Sequence, residues 1–462
     1  MAQNNYDQSP HGFWSSNTMF VLAAVGSAVG LGNIWKFPYI TGENGGAAFF
    51  FVYLICICAI GIPVMMAEIM LGRAGRMSPI NSLLKIAREQ GLSRKWGLLG
   101  WAGVGGGLVI LSFYSVIAGW ILAYVFQTFS GGFNGIDLAS SQGVFADLIS
   151  NPWISGMWFT IFLVATGYFV ARGVNRGLEL VIRFCMPLLF VLLIVILIYG
   201  ISRGGFGDAF KFMFHLDFNN LGLSWDSLVK ALGHAFFTLS IGMGAIMAYG
   251  AYMPQQSSIK SAVGIIVVVD TLVAVIAGLA IFSIAYAHGS DPGQTIGLLF
   301  YTVPTAFGNL WGGVIFGGLF FVLVTFAAFT SAISLLEPAI AYFVEKFNTS
   351  RAIVAVVCVS IAWILGLFSV FSFNILSDWT IDIGDKAWTI FDSLDHLTQW
   401  VILPLGGLFI CILTAWFIPW KLVGSVLDVK SERGRLLWKI FCGVLAPLAI
   451  LAVFVLTFFG IN

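Results

Sequence analysis

The first long apolar segment of this chain is interrupted where a membrane helix tolerates interruption least. Gly26-Ser27-Ala28-Val29-Gly30-Leu31-Gly32 holds three glycines in seven residues, and Asn33, Lys36 and Pro38 follow. Each glycine weakens a helix by about 1 kcal/mol relative to alanine. In hydrocarbon, backbone groups released by a break need other partners: a neighbouring helix, a cavity, an ion or a substrate. Gly26 and Gly30 also have the G-x-x-x-G spacing, so the stretch alone suits either a packing face or a binding site.

Composition sets the solvent. Hydrophobic residues make up 59% of the 462 and charged residues 9%, against about 25% charged in soluble domains. This reads as an all-α integral membrane protein whose standing partner is the lipid bilayer. A net charge of +1 argues against nucleic acid as a partner. Cys56, Cys58, Cys185, Cys358, Cys411 and Cys442 all lie in apolar runs, as small buried hydrophobes rather than a disulfide framework or metal site. The first dozen residues are polar and carry no Lys or Arg, unlike a cleaved signal peptide.

Apolar runs of about 20 residues or more predict eleven transmembrane helices: 17–40, 46–71, 97–129, 153–171, 177–201, 227–254, 260–287, 312–345, 351–371, 388–418 and 436–459. Lys and Arg cluster after segments two, four, eight and ten, whereas 130–152 and 288–311 contain none. The positive-inside rule then puts the N-terminus in the cytoplasm and the C-terminus outside. The apolar, Gly- and Pro-bearing piece within 288–311 predicts a re-entrant or capping hairpin.

A second break falls in segment six, at Gly233-His234-Ala235-Phe236-Phe237-Thr238-Leu239-Ser240-Ile241-Gly242-Met243-Gly244. It lies five segments after the first. Five is odd, so two sets of five would be inverted in the membrane, and paired interrupted helices in such halves mark a transporter's central site. The expected division is a cytoplasmic N-terminal piece 1–16, a first repeat 17–201, a second repeat 202–418, and a cytoplasmic loop with helix eleven, 419–462. Asp270 sits inside segment seven, where a carboxylate is expensive and points to function. Thr330, Ser331 and Ser334 crowd one stretch of segment eight, and Glu337 before Pro338 reads as structural. His234 reads as a hydrogen-bonded helix residue. Oxygen donors with one carboxylate suit a hard monovalent cation such as Na⁺ better than a tight divalent site. No H-E-x-x-H, G-x-S-x-G or paired-Cys motif is present, so the chain does not read as an enzyme.

Three separated motifs now agree in order and spacing: the first break with Asn33-Ile34-Trp35-Lys36-Phe37-Pro38-Tyr39 and Glu43-Asn44-Gly45-Gly46, the stretch from Phe236 to Gly244, and Thr330-Ser331 with Glu337-Pro338. They closely resemble the neurotransmitter:sodium symporters, in the bacterial amino-acid branch. The resemblance implies a leucine-transporter-like fold of five plus five inverted helices with helices 1 and 6 broken. It implies two Na⁺ ions, an amino-acid substrate, and a monomer or weak homo-oligomer. The first Na⁺ would take the Ala28 carbonyl, Asn33, Thr238 and Asp270. The second would take carbonyls of Gly26, Val29 and Ala327 with the hydroxyls of Thr330 and Ser331. The substrate carboxylate would meet Leu31, Gly32 and Tyr114, and its ammonium Ala28, Phe237, Thr238 and Ser240. Ile110, Tyr114, Phe237, Ser240, Met243, Ser331 and Leu335 would surround the side chain.

The resemblance extends to gates. Outside, Lys36 would face Asp392, with Asp395 the second choice, under a lid of Phe237 and Tyr114. Inside, Trp14, Tyr252 and Glu345 match the family's lock, but His11 stands where the family has Arg, which implies a weaker or pH-sensitive closure. Gly177 and Pro187 in segment five suit either a static kink or a stretch that unwinds toward the inner sodium. Gly30 stands where amine-transporting members have Asp, which favours a substrate bearing its own carboxylate. Asp270 stands beside the first sodium, where a fixed carboxylate makes chloride unnecessary. The expected protein is a Na⁺-coupled symporter importing hydrophobic amino acids, aromatic ones included, by alternating access.

Overall fold

A computed structural model of the chain describes residues 11–216, 224–289, 297–383 and 386–459. These are helical apart from one short antiparallel pair, Ile381–Ile383 with Lys386–Trp388, ahead of segment ten. Among the described residues nine helices are long and apolar enough to cross a membrane. A further pair, Asn17–Ala28 and Gly32–Glu43, bends by 47° at its break. Segment six is likewise split, into Trp225–Thr238 and Ala245–Ala251. The two interrupted helices are those read from the glycines. Segment eight runs 35 residues, Gly313–Phe347. At 1.5 Å per residue that is about 52 Å, so it tilts or projects beyond a core of about 30 Å.

Each break has a backbone signature. Val29 leaves the helical region at φ −72°, ψ 100°. In the second break Ser240, Gly242 and Gly244 all take positive φ, at 53°, 84° and 76°. For Ser240, which has a Cβ, that conformation is uncommon. Its hydroxyl donates to the Ser27 carbonyl at 2.7 Å, which ties one break to the other.

Glycines decide how closely the helices approach. A Cβ on Gly72 would lie 1.9 Å from the Met247 carbonyl oxygen, and one on Gly250 would lie 2.8 Å from that of Ile69. Segment two thus packs backbone to backbone on the inner half of segment six, as small residues allow in lipid.

The piece expected as a re-entrant or capping hairpin is helical where described. Leu298–Thr302 and Val303–Asn309 form a buried cap, with Phe300 stacked 4.6 Å from Phe145 and accepting the Tyr124 hydroxyl at 3.0 Å. Residues 290–296 lie outside the described set. Segment five is wound throughout: Val174–Leu178 leads directly into Glu179–Ser202 with Pro187 inside, so the unwinding alternative is not the conformation seen.

Gly72→Ala should lower stability by about 1–3 kcal/mol through overpacking. Gly264→Ala, which meets nothing within 4 Å, should be neutral or better. Thermal unfolding of the purified variants in one detergent checks both.

Candidate functional site

The two breaks meet segment seven at Asp270, which is fully buried. The Asn33 amide donates to its Oδ1 at 2.8 Å and to its carbonyl at 3.1 Å. The Thr238 hydroxyl donates to Oδ1 at 3.1 Å and to Oδ2 at 3.2 Å. Asn33 Oδ1 in turn accepts the Gly30 N–H at 3.0 Å. Three of the four groups expected around the first sodium therefore converge from three segments, and Ala28 ends the helix just before the break. All are oxygen-bearing and they include one carboxylate, a set suited to a hard monovalent cation. Among the described residues no group of three or more His, Cys, Asp or Glu is placed to hold a metal ion.

The hydroxyls of segment eight meet the first break from the other side. Thr330 donates to the Ala327 carbonyl at 3.1 Å, and Ser331 to that of Ser27 at 3.2 Å and of Gly26 at 3.5 Å. A Cβ on Gly26 would sit 3.4 Å from that of Thr330. Gly26, Ala327, Thr330 and Ser331 thus form one neighbourhood, with Val29 a turn further along the first segment.

Between these two clusters lies a cavity. Every residue expected at the substrate lines it except Thr238, and Ser27 and Gly30 join them. Its volume is about 20 Å³, room for about one water. An amino acid enters only as lining side chains withdraw. The Leu31 N–H faces the Tyr114 hydroxyl at 3.4 Å. A Cβ on Gly30 would lie 2.4 Å from Ser331 Oγ, so this position has no room for a side chain.

An outer vestibule of about 310 Å³ shares Leu31, Tyr114 and Phe237 with the central cavity, which makes the two rings the partition between them. Above it Lys36 donates to Gln399 Oε1 at 2.5 Å and stands 3.8 Å from Asp395 Oδ2. The acid facing Lys36 is therefore Asp395, not Asp392. Asp392 is spent on a capping box: its Oδ2 accepts the Thr389 N–H at 3.1 Å and hydroxyl at 2.8 Å at the start of Ile390–His396.

On the inner side His11 does meet Glu345, at 2.8 Å. The carboxylate also accepts the Ser78 N–H at 2.7 Å and Asn81 at 2.6 Å, so the closure rests on several neutral donors. Trp14 is buried, with its N–H bonded to the Tyr252 carbonyl at 3.1 Å. Tyr252 does not join Glu345: its hydroxyl donates to Glu337 at 2.8 Å, and Glu337 also pairs with Arg351. Glu337 is thus held between Tyr252 and Arg351.

Two residues escaped the sequence reading. Glu68 is fully buried in segment two and accepts the Gly242 N–H of the second break at 2.5 Å. Its signal was the one that exposed Asp270, an acid inside an apolar run. Tyr53 packs 5.2 Å from His234, which lies 5.9 Å from Phe37. His234 is held by these rings, since neither ring nitrogen has a hydrogen-bond partner among the described residues.

Broken helices that enclose a buried carboxylate and a small cavity define a sodium-coupled membrane carrier. The family profile described as the sodium:neurotransmitter symporter family matches residues 11–135 and 149–462, and the chain belongs to that family. It is 35% identical over 448 residues to the uncharacterized sodium-dependent transporter YhdH of Bacillus subtilis, covering 96% of each chain. It is 29% identical over 474 residues to an uncharacterized sodium-dependent transporter of Haemophilus influenzae, covering 99% of this chain and 100% of the other. The crystal structure of MhsT in complex with L-phenylalanine is similar at a TM-score of 0.89 and 40% identity, covering 97% of this chain and 100% of that one. The fold is thus the multi-span, all-α one with helices 1 and 6 broken within five-plus-five inverted repeats. The protein is a sodium-coupled symporter working by alternating access, not an enzyme.

Glu68→Ala should leave the Gly242 N–H unpaired, at a cost of about 1–3 kcal/mol, with most transport lost. Asp395→Asn should reduce uptake by about tenfold. Asp392→Ala should instead cost about 1 kcal/mol of stability and leave uptake near wild type. Thermal unfolding with Na⁺-driven uptake separates the three.

Proposed function

We propose that the chain imports hydrophobic amino acids, aromatic ones included, driven by Na⁺ bound at two sites at the breaks of helices 1 and 6. The observation that carries this is the Asp270, Asn33 and Thr238 cluster set against the central cavity. A cation there would neutralise the buried carboxylate and present its other face to the substrate carboxylate, so each lowers the other's desolvation cost. The second ion would sit among the Gly26, Val29 and Ala327 carbonyls and the Thr330 and Ser331 hydroxyls. The helix ends at the breaks favour the substrate's opposite charges, N–H groups of Leu31 and Gly32 for the carboxylate and carbonyls of Ala28, Phe237 and Thr238 for the ammonium.

Pocket chemistry supports the substrate class. Ile110, Phe237, Met243 and Leu335 are apolar lining residues, and a thioether adapts to varied shapes. Gly30 leaves no protein carboxylate at the amine side, so the substrate brings its own. The L-phenylalanine held by MhsT, alike over nearly its whole length, favours the same reading. Asp270 also supplies a fixed negative charge beside the first ion, and transport is chloride-independent on that account. The two repeats, 17–201 and 202–418, move against each other, with 419–462 as a peripheral addition. The N-terminus is cytoplasmic and the C-terminus outside, by the distribution of Lys and Arg. Lys36 with Asp395 closes the outer side, and His11, Trp14 and Glu345 the inner.

Purified protein in proteoliposomes should take up leucine, tyrosine or tryptophan down a Na⁺ gradient without chloride. Uptake of glycine but of none of these would overturn the substrate class. Asp270→Asn should lose uptake by at least about tenfold or make it chloride-dependent. A variant indifferent to both would remove Asp270 from the sodium site.

A further inference from the structure

The cytoplasmic edge of the scaffold carries two cavities that transport does not use. One, of about 480 Å³, is an apolar groove between segments three and ten, lined by Leu98, Leu99, Ala102, Ile402, Leu405 and Phe409. Leu98 and Phe409 are exposed, so the groove faces the bilayer rather than the protein core. Its one charged lining residue is Lys95. The second cavity, of about 360 Å³, is lined by Lys85, Arg88 and Arg94, beside Asn81. Arg94 and Lys95 are neighbours in the short turn Arg94–Trp96 that opens segment three, so the two cavities adjoin through that turn.

One acid, Glu89, is exposed beside Arg88, against the four cations Lys85, Arg88, Arg94 and Lys95. No carboxylate lines either cavity. Asn81 carries its amide to Glu345, whose oxygens are taken by His11 and Ser78 as well. Lys85 donates to the Gly75 carbonyl at 3.2 Å, while Arg88, Arg94 and Lys95 lie at the exposed surface. Trp96, packed 5.2 Å from Phe417, and the exposed Trp101 mark the depth of the membrane interface here.

We infer that this edge is a binding site for one anionic phospholipid, its phosphate on Arg88, Arg94 and Lys95 and an acyl chain in the groove between segments three and ten. Charge selects the lipid: a cationic turn at the mouth of an apolar groove is complementary to an anionic headgroup carrying a chain, and a zwitterionic headgroup gains less. The inference does not depend on which solute is carried.

The test uses full-length protein in mixed micelles, with dioleoyl phosphatidylglycerol and dioleoyl phosphatidylcholine as probes and native mass spectrometry as readout. One phosphatidylglycerol should be retained in preference to phosphatidylcholine. Each neutralised cation is worth about fivefold, so Arg88→Gln, Arg94→Gln and Lys95→Gln together should weaken phosphatidylglycerol by about a hundredfold. These surface changes leave the core intact. Ala102→Trp should displace the chain and lose both lipids. Unchanged retention by the triple variant would overturn the proposal. So would inorganic phosphate displacing the lipid at equal concentration, which would make this an anion site without a chain.

Discussion

A buried carboxylate in a membrane helix dominates this structure. Asp270 is fully buried away from bulk solvent, and segment seven cannot satisfy it alone. It draws Asn33 from the first break and Thr238 from the second, at 2.8 and 3.1 Å. Those donors reach it only because both helices stop being helices nearby. The breaks leave backbone groups that in turn need partners: Gly30 N–H on Asn33, Gly242 N–H on Glu68, and the Ser27 carbonyl on Ser240 and Ser331. Apart from Gly30 on Asn33, within segment one, these groups are satisfied from another segment, and the site is the place where these demands are met together.

The same economy shapes the contacts proposed as gates. Neither closure is a simple ion pair. Outside, Lys36 shares its contact between Gln399 and the more distant Asp395. Inside, Glu345 is held by His11 and by neutral donors in the turn and helix that follow segment two. Interactions built from several modest hydrogen bonds break in steps, which suits a carrier that must open each side once per cycle. The ion pair of Glu337 with Arg351 anchors Tyr252, which therefore does not join Glu345.

Much of this was legible because hydrocarbon turns polar residues into signals. Glycines in segments one and six, the acid in segment seven and the hydroxyls in segment eight each stand out against an apolar background. Glu68 stood out equally and was passed over. For the outer acid a local pattern decides against Asp392: with Thr389 three residues before it, it forms a capping box, which commits that carboxylate to the helix start. Asp395, one turn on, is left to face Lys36. Tyr252 offered no such clue, since its choice of Glu337 over Glu345, two turns further along the same helix, depends on the depth at which segments six and eight pack.

By itself the sequence determined the number and placement of the spanning segments, the two breaks and the kinds of donor beside them. A bilayer makes these demands locally, residue by residue, so they are written in short stretches of chain. The tertiary structure decided which carboxylate meets which partner, how small the central cavity is, and where an apolar groove meets a basic turn. Those are distances between residues that lie far apart in the chain, Lys36 and Gln399 or His11 and Glu345. Helix packing sets them, through close approaches such as Gly72 against Met247 that no local pattern encodes.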